Sequence, residues 1–386
     1  MTPGARVSAA IEVLDAIAGG LAAEQALTRW ARQSRFAGSK DRAAVRDHVF
    51  DVLRQKRTAA HYGRGDTGRA LMIGVLHGQG ADLEALFTGE GHAPTPLSDA
   101  ERAFPQAPED RATRLNLPDW LLPLFDAALG EKADAAATAL QERGPICLRV
   151  NTARIAVPAA QELLAEEGVQ TRANPLADAA LTVIEGQRRI RNSSAFADGY
   201  VELQDAASQA VVAALPLGGR VLDYCAGGGG KALALAMDAT REITAHDIDP
   251  RRMSDLSPRA ARAGVEIALA DTEKAEAGAP YDLVLCDAPC SGSGAWRRAA
   301  EGKWTLTPDR LAELTAIQDQ ILDTAVALTQ PNGVLAYATC SLFREENEAR
   351  VEAFLARHPG WKIARMDRYD VTAEGDGFFS AQLTRE

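Results

Sequence analysis

The stretch Arg220-Val221-Leu222-Asp223-Tyr224-Cys225-Ala226-Gly227-Gly228-Gly229-Gly230-Lys231-Ala232-Leu233-Ala234-Leu235-Ala236-Met237 decides the fold. It opens as a short apolar strand over 220–224, ends as a helical run, and joins the two through four consecutive glycines. A strand that enters a helix through bare backbone lets a ligand come against the chain, with the helix amides facing it. A tight turn without a ligand is the plain alternative. A P-loop is disfavoured, because Cys225 stands six residues before Lys231 where Gly is needed, and Ala232 replaces the magnesium-binding Ser or Thr. A dinucleotide site stays open, since Asp247 lies 20 residues past Gly227 at a strand end suited to ribose hydroxyls.

Outward from the glycine loop, apolar runs at 242–245, 265–269, 281–286 and 334–338 alternate with helical segments. The longest helix is expected over 308–328, where Leu311, Leu314, Ile317, Ile321 and Leu322 keep a helical period. This alternation predicts an α/β domain over 216–386, Rossmann-like, with a mostly parallel sheet and its ligand site at the C-terminal strand ends. Asp247, Asp271 and Asp287 end successive strands there. Each would serve equally as a helix cap, but three acids around one crevice fit the hydroxyl and amino donors of S-adenosylmethionine.

Two cysteines sit at the same edge. Cys290 lies in Asp287-Ala288-Pro289-Cys290-Ser291-Gly292-Ser293-Gly294 and Cys340 in Thr339-Cys340-Ser341, each just after an apolar strand. A thiolate can add to C6 of a pyrimidine and make C5 electron-rich enough to take an electrophilic methyl group. The C5 proton and the thiol must then leave, which calls for a second assisting group. A free thiol near pKa ~8.5 is mostly protonated at neutral pH, and the helix expected over 344–357 is a candidate aid to Cys340. Zinc is disfavoured: Cys286 and Cys290 have three residues between them with no second pair, and the six histidines form no ligand-spaced cluster. Cys147 and Cys286 lie inside apolar strands and read as packing residues.

The chain of 386 residues is long enough for two or three domains, and its charge of −11 argues mildly against a nucleic-acid partner. That average hides a contrast: residues 1–70 hold 12 Lys/Arg against 7 Asp/Glu, while 71–110 hold only Arg102 against seven acids. Basic strips recur at Arg29, Arg32 and Arg35, at 54–57, at 188–191 and at Arg297-Arg298, although each also reads as a solvated face. No apolar run approaches membrane-spanning length, and Glu12 and Asp15 interrupt the N-terminal apolar stretch, so a soluble cytoplasmic protein is expected, without metal and monomeric.

Periodic apolar positions (Ala9, Ile11, Val13, Leu14, Ile17, Leu21; Val45, Val49, Phe50, Val52, Leu53) predict an N-terminal all-α domain over 1–90. The Gly- and Pro-rich stretch 91–108 reads as a linker, and 109–215 as a small α+β module, with strands at 146–150 and 181–184 and a helix at 159–167.

Taken together these residues resemble the RsmB/Sun-type RNA cytosine-5 methyltransferases. The resemblance runs from about 110 to the C-terminus. It takes in Leu148-Arg149-Val150-Asn151, 204–209, the glycine loop, Asp247 with Asp249 and Arg252, 287–294, Lys303-Trp304, Gln318, 337–341 with Glu345-Glu346-Asn347, and Gly375-Asp376-Gly377-Phe378-Phe379. The resemblance implies a class I methyltransferase domain that uses S-adenosylmethionine. It implies Cys340 as the nucleophile, Cys290 as promoter of adduct breakdown, and Asp287 on the polar edge of the cytosine. Cys225, Ala226, Gly227, Gly228, Gly229, Gly230, Lys231, Asp247, Asp271 and Asp287 would surround the cofactor, with Lys231 near the reacting groups. The family's loop proline is absent here, which should loosen the loop and weaken cofactor binding. The N-terminus is similar to a shortened NusB-like RNA-binding domain, which favours ribosomal RNA over transfer RNA. A methyltransferase with another acceptor and a non-catalytic assembly factor are the alternatives. Trp296 and Trp304 are expected either to stack on bases or to pack in the core.

Overall fold

The computed structural model describes residues 1–386. Contacts divide it into two units: residues 1–126, 130–143 and 296–305 form one, and residues 127–129, 144–295 and 306–386 the other.

The first unit is helical. Its main elements are α1 (Pro3–Ala18), α2 (Ala23–Gln33), α3 (Ser39–Arg54), α4 (Lys56–Gly63) and α5 (Gly68–Gly78). The apolar stripes meet in one core that contains Val7, Val13, Leu14, Trp30, Val45, Val49, Leu53, Met72, Ile73 and Phe87. α4 and α5 approach so closely that a Cβ on Gly74 would lie 1.9 Å from the Ala59 carbonyl oxygen, so only glycine fits there.

The stretch 91–108 is packed against this unit. Leu97 is buried in its core, Ser98 caps the short helix Asp99–Arg102, and Arg69 binds Glu101 at 2.7 Å. Gly and Pro had marked an absence of regular helix, and regularity is a different property from packing. Residues 109–143, assigned from sequence to the α+β module, also group here except for 127–129. Asn116 accepts from the Thr58 amide at 3.0 Å and donates to Gln141 at 2.8 Å, and Arg143 binds Asp51 at 2.8 Å.

The segment 296–305 completes the unit. Glu301 accepts from the Ala23 amide, the first of α2, at 3.0 Å, in a position where the helix has no side-chain cap of its own. Lys303 donates to the Arg54 carbonyl and Trp304 to the Leu53 carbonyl, both at 2.7 Å. These are the last two carbonyls of α3, which have no partner within the helix. One segment thus supplies a negative cap to a helix start and donors to a helix end. Trp296 is fully buried and thus a core residue, and Trp304 packs its partly buried ring against the same core.

Burial, helped by the nearby Arg54 cation, pushes the Lys303 amine down to about 7. The unfolded chain holds that proton up to pH ~10.4. Between these values the unfolded state binds a proton the folded state lacks, so stability rises with pH through that window. Urea unfolding should therefore show a gain of up to a few kcal/mol from pH 7 to pH 10, and Lys303→Met should remove most of it. The same pH dependence in both proteins would disprove the assignment.

The second unit holds two sheets. The small one, in order β2-β3-β1-β4, is antiparallel and is built from β1 (Cys147–Val150), β2 (Gln170–Ala173), β3 (Ala180–Glu185) and β4 (Val201–Leu203). Helix Val157–Glu166 covers it with Ala160 and Leu164. The large one contains β5 (Gly219–Asp223), β6 (Arg241–His246), β7 (Ala268–Ala270), β8 (Tyr281–Asp287), β9 (Thr329–Thr339), β10 (Trp361–Tyr369) and β11 (Phe378–Arg385) in the order β10-β11-β9-β8-β5-β6-β7. From β9 to β7 the neighbours are parallel, while β11 and β10 are antiparallel additions. This is the Rossmann-like sheet that the alternation predicted, extended by two strands that the sequence reading did not assign. Strand order reverses at β5, between β6 and β8, which opens a crevice at their C-terminal ends.

Candidate active site

The glycine loop leaves β5 at that crevice. Gly227 and Gly229 take φ of +53° and +76°, and a Cβ on Gly229 would lie 2.2 Å from Leu256. Here the glycines serve both backbone conformation and space. Asp247, buried at the end of β6, accepts from the Gly227 amide at 2.9 Å and from Arg252 at 3.0 Å, and so shapes the loop. The small sheet supports the loop from below, as buried Arg149 donates to the Gly230 carbonyl at 2.8 Å and to Gln204.

Beside the loop is a cavity of about 280 Å³. Tyr224, Cys225, His246, Asp247, Ile248 and Arg252 line it, together with residues of the helix Pro308–Leu328 that include Ile317 and Ile321. The Tyr224 and His246 rings are stacked at 4.7 Å. A flat apolar slot with one buried carboxylate suits the adenosine part of S-adenosylmethionine in size and chemistry. Asp271 does not join this group. Its carboxylate caps helix Thr272–Ala277, accepting from the Lys274 amide at 2.9 Å, and pairs with the Lys274 amine. For this acid the helix-cap reading is the one the structure places.

Lys231, buried just past the glycines, donates to Asp287 Oδ2 at 2.7 Å and lies 5.0 Å from the centre of the Phe378 ring. Burial works against its charge, but the Asp287 carboxylate beside it holds the ammonium above its usual range. Asp223 stands behind this pair with no exposed surface, and the only hydrogen bond that favours its charge comes from the Ala232 backbone. Burial, and then the charge of Asp287, push its carboxyl up to about 7. The sequence reading did not assign it to the site. Its one signal was an acid at the end of an otherwise apolar strand.

The two cysteines are brought together by sheet register. β8 and β9 are parallel neighbours with Asp287 opposite Ala338, so the loops carrying Cys290 and Cys340 leave the sheet side by side. The Ala288 amide donates to the Ala338 carbonyl and the Gly294 amide to the Cys340 carbonyl, both at 2.9 Å. The sulfurs lie 3.5 Å apart. The Cys290 thiol is pushed well above its ordinary value by its hydrogen bond to Cys340, then by burial and by the charges of Cys340 and Glu346. Cys286 is fully buried in β8, where burial raises it strongly, and Cys147 is buried in β1. The helix expected to aid Cys340 begins at Glu348 after a single turn, Arg344–Glu346. Its cap residue Asn347 bonds Thr339 and Ser341, which flank the cysteine.

Known proteins resemble the chain at the level of sequence and of fold. The family model for 16S rRNA methyltransferase RsmB/F matches residues 211–384, and the ferredoxin-like domain model of RsmF/B-like methyltransferases matches residues 117–188. Ribosomal RNA small subunit methyltransferase B of Vibrio cholerae is 32% identical over 303 residues, 75% of this chain and 70% of that protein. The protein of the same name from Salmonella arizonae is 32% identical over 288 residues, 70% of this chain and 66% of that one. The matched part thus spans about two thirds of the length of these curated relatives. A solved methyltransferase homologue from Pyrococcus horikoshii superposes with a TM-score of 0.63 at 26% identity, covering 72% of this chain and 98% of that chain.

Proposed function

Since this chain belongs to the RsmB/F family of 16S rRNA methyltransferases, we propose that it methylates C5 of a cytosine in ribosomal RNA, with Cys340 as the attacking nucleophile and Cys290 as its helper. The observation that carries this reading is the pair of sulfurs 3.5 Å apart, at the strand ends that also hold the Lys231–Asp287 pair. S-adenosylmethionine, held by the glycine loop, Asp247 and the cavity beside them, supplies an electrophilic methyl group when bound.

Cys340 adds its sulfur to C6 of the cytosine, which places electron density on C5. The methyl group is taken up at C5. The C5 proton then leaves, and its electron pair forms the C5–C6 double bond as the C6–S bond breaks and returns its electrons to the Cys340 sulfur. Cys290, with its sulfur 3.5 Å from that of Cys340, is placed to assist the breakdown that frees the enzyme. Asp287, fixed by Lys231, faces the polar edge of the base. Lys231 orients that carboxylate through its 2.7 Å hydrogen bond. The target base must be unstacked or single-stranded to reach these groups.

No helix in the structure is long and apolar enough to cross a membrane. The test is incubation with methyl-labelled S-adenosylmethionine and unmodified small-subunit ribosomal RNA or transfer RNA, followed by mass spectrometry of the nucleosides. The expected result is 5-methylcytidine in the ribosomal RNA. Label in another nucleoside would overturn the two-cysteine chemistry, and 5-methylcytidine confined to transfer RNA would overturn the substrate.

A further inference from the structure

Glu346 is a carboxylate, wholly without exposed surface, lying between the two cysteine loops. Its Oε1 accepts from the Ser291 amide at 2.7 Å and from Gln318 Nε2 at 3.2 Å. Its Oε2 accepts from the Ser291 and Ser341 hydroxyls. Ser291 follows Cys290 and Ser341 follows Cys340, so one side chain joins the residues next to both thiols. Gln318 also donates to the Pro289 carbonyl at 2.9 Å, and the Tyr337 hydroxyl donates to the Glu346 carbonyl. A buried charge is tolerated only when well paired by hydrogen bonds, and here three of the four donors come from the cysteine loops themselves. This carboxylate has no cation among its bonded partners, and its charge is among the causes that raise the Cys290 thiol.

We propose that Glu346 is a positioning residue that holds the Cys290 and Cys340 loops at their working separation and, through its charge, directs attack to Cys340. The proposal rests on the reading that Cys340 attacks and Cys290 assists. Two consequences follow from the geometry. Without the carboxylate, Ser291 and Ser341 lose their shared acceptor and the loops are free to part. Without the charge alone, Cys290 gives up its proton more easily and becomes a competing nucleophile. Cys340, Glu346 and Tyr337 are the titratable groups whose charges bear on Cys290.

The test uses the full chain and needs no RNA for its deciding readout. The alkylation rate of each cysteine by iodoacetamide is followed against pH by peptide mass spectrometry, in the parent protein, in Glu346→Gln and in Glu346→Ala. Glu346→Gln keeps size and one acceptor oxygen but removes the charge, so the pH midpoint for Cys290 should fall by about one unit. In methyl transfer the same variant should lose about tenfold or more in kcat with KM for RNA little changed, and Glu346→Ala about 100-fold. A Cys290 profile in Glu346→Gln that matches the parent protein would overturn the proposal, as would a loss confined to KM. If Glu346→Ala does not fold, Glu346→Gln still decides. A parent protein that methylates no RNA would sink the proposed function, while the alkylation profiles would still judge Glu346.

Discussion

Replacing Cys290 with alanine should leave the protein covalently joined to its RNA, in an adduct that survives boiling in detergent. Cys340 retains its sulfur and its place at the end of β9, so addition to C6 and methyl uptake still proceed. What the variant lacks is the group that assists breakdown, and the reaction stops with the C6–S bond intact. The first turnover should stay within about tenfold of the parent rate, because only one long contact to the attacking sulfur is gone. Multiple turnover should fall by at least about 100-fold. A denaturing gel of labelled RNA would show a band shifted by the mass of the protein, carrying one methyl group per adduct. The same band formed by Cys340→Ala in place of Cys290→Ala would exchange the two roles.

Cys340→Ala should form no adduct and transfer no methyl group, a loss of about 10⁴-fold or more, as expected when a covalent nucleophile is removed. The fold should tolerate the change. Cys340 is only partly buried, and its one side-chain hydrogen bond is the long contact to Cys290, so the cost to stability should be below about 1.5 kcal/mol. Cofactor binding should persist, since Cys340 does not line the cavity beside the glycine loop. Calorimetric titration with S-adenosylmethionine, run beside the activity assay, would separate these effects. Normal binding with no transfer is the expected pair of results, and residual transfer within tenfold of the parent would remove Cys340 from the mechanism.

The central sheet was legible because parallel strands buried on both faces read as short apolar runs, and because the glycines leave little choice at the end of β5. That Cys290 and Cys340 both follow apolar strands into polar loops was legible. Their separation was not, as it depends on the pairing of β8 with β9, whose residues lie some fifty positions apart. β10 was hidden for a different reason. It is an edge strand whose residues 362–366 are all exposed, so no alternation of apolar and polar residues marks it. Asp271 and Asp247 look alike in sequence, each an acid after a strand. One caps a helix and the other braces the glycine loop, and the difference lies in which backbone amides come within reach. Glu346 sits beside Glu345 with nothing local to say which turns inward, because its partners Ser291 and Gln318 belong to distant segments. Asp223 escaped notice since an acid inside an apolar strand has no periodic signature.

The helical unit that opens the chain takes its last piece from residues 296–305. On a translating ribosome its first 143 residues emerge well before that piece does. At about 5–20 residues per second, the intervening stretch takes on the order of 10 s to make. During that interval α2 lacks its cap, the last carbonyls of α3 lack Lys303 and Trp304, and the site on the core for Trp304 is empty. The oldest part of the nascent chain therefore waits for one of the younger parts, and a product truncated anywhere before residue 296 would carry a helical unit that cannot close.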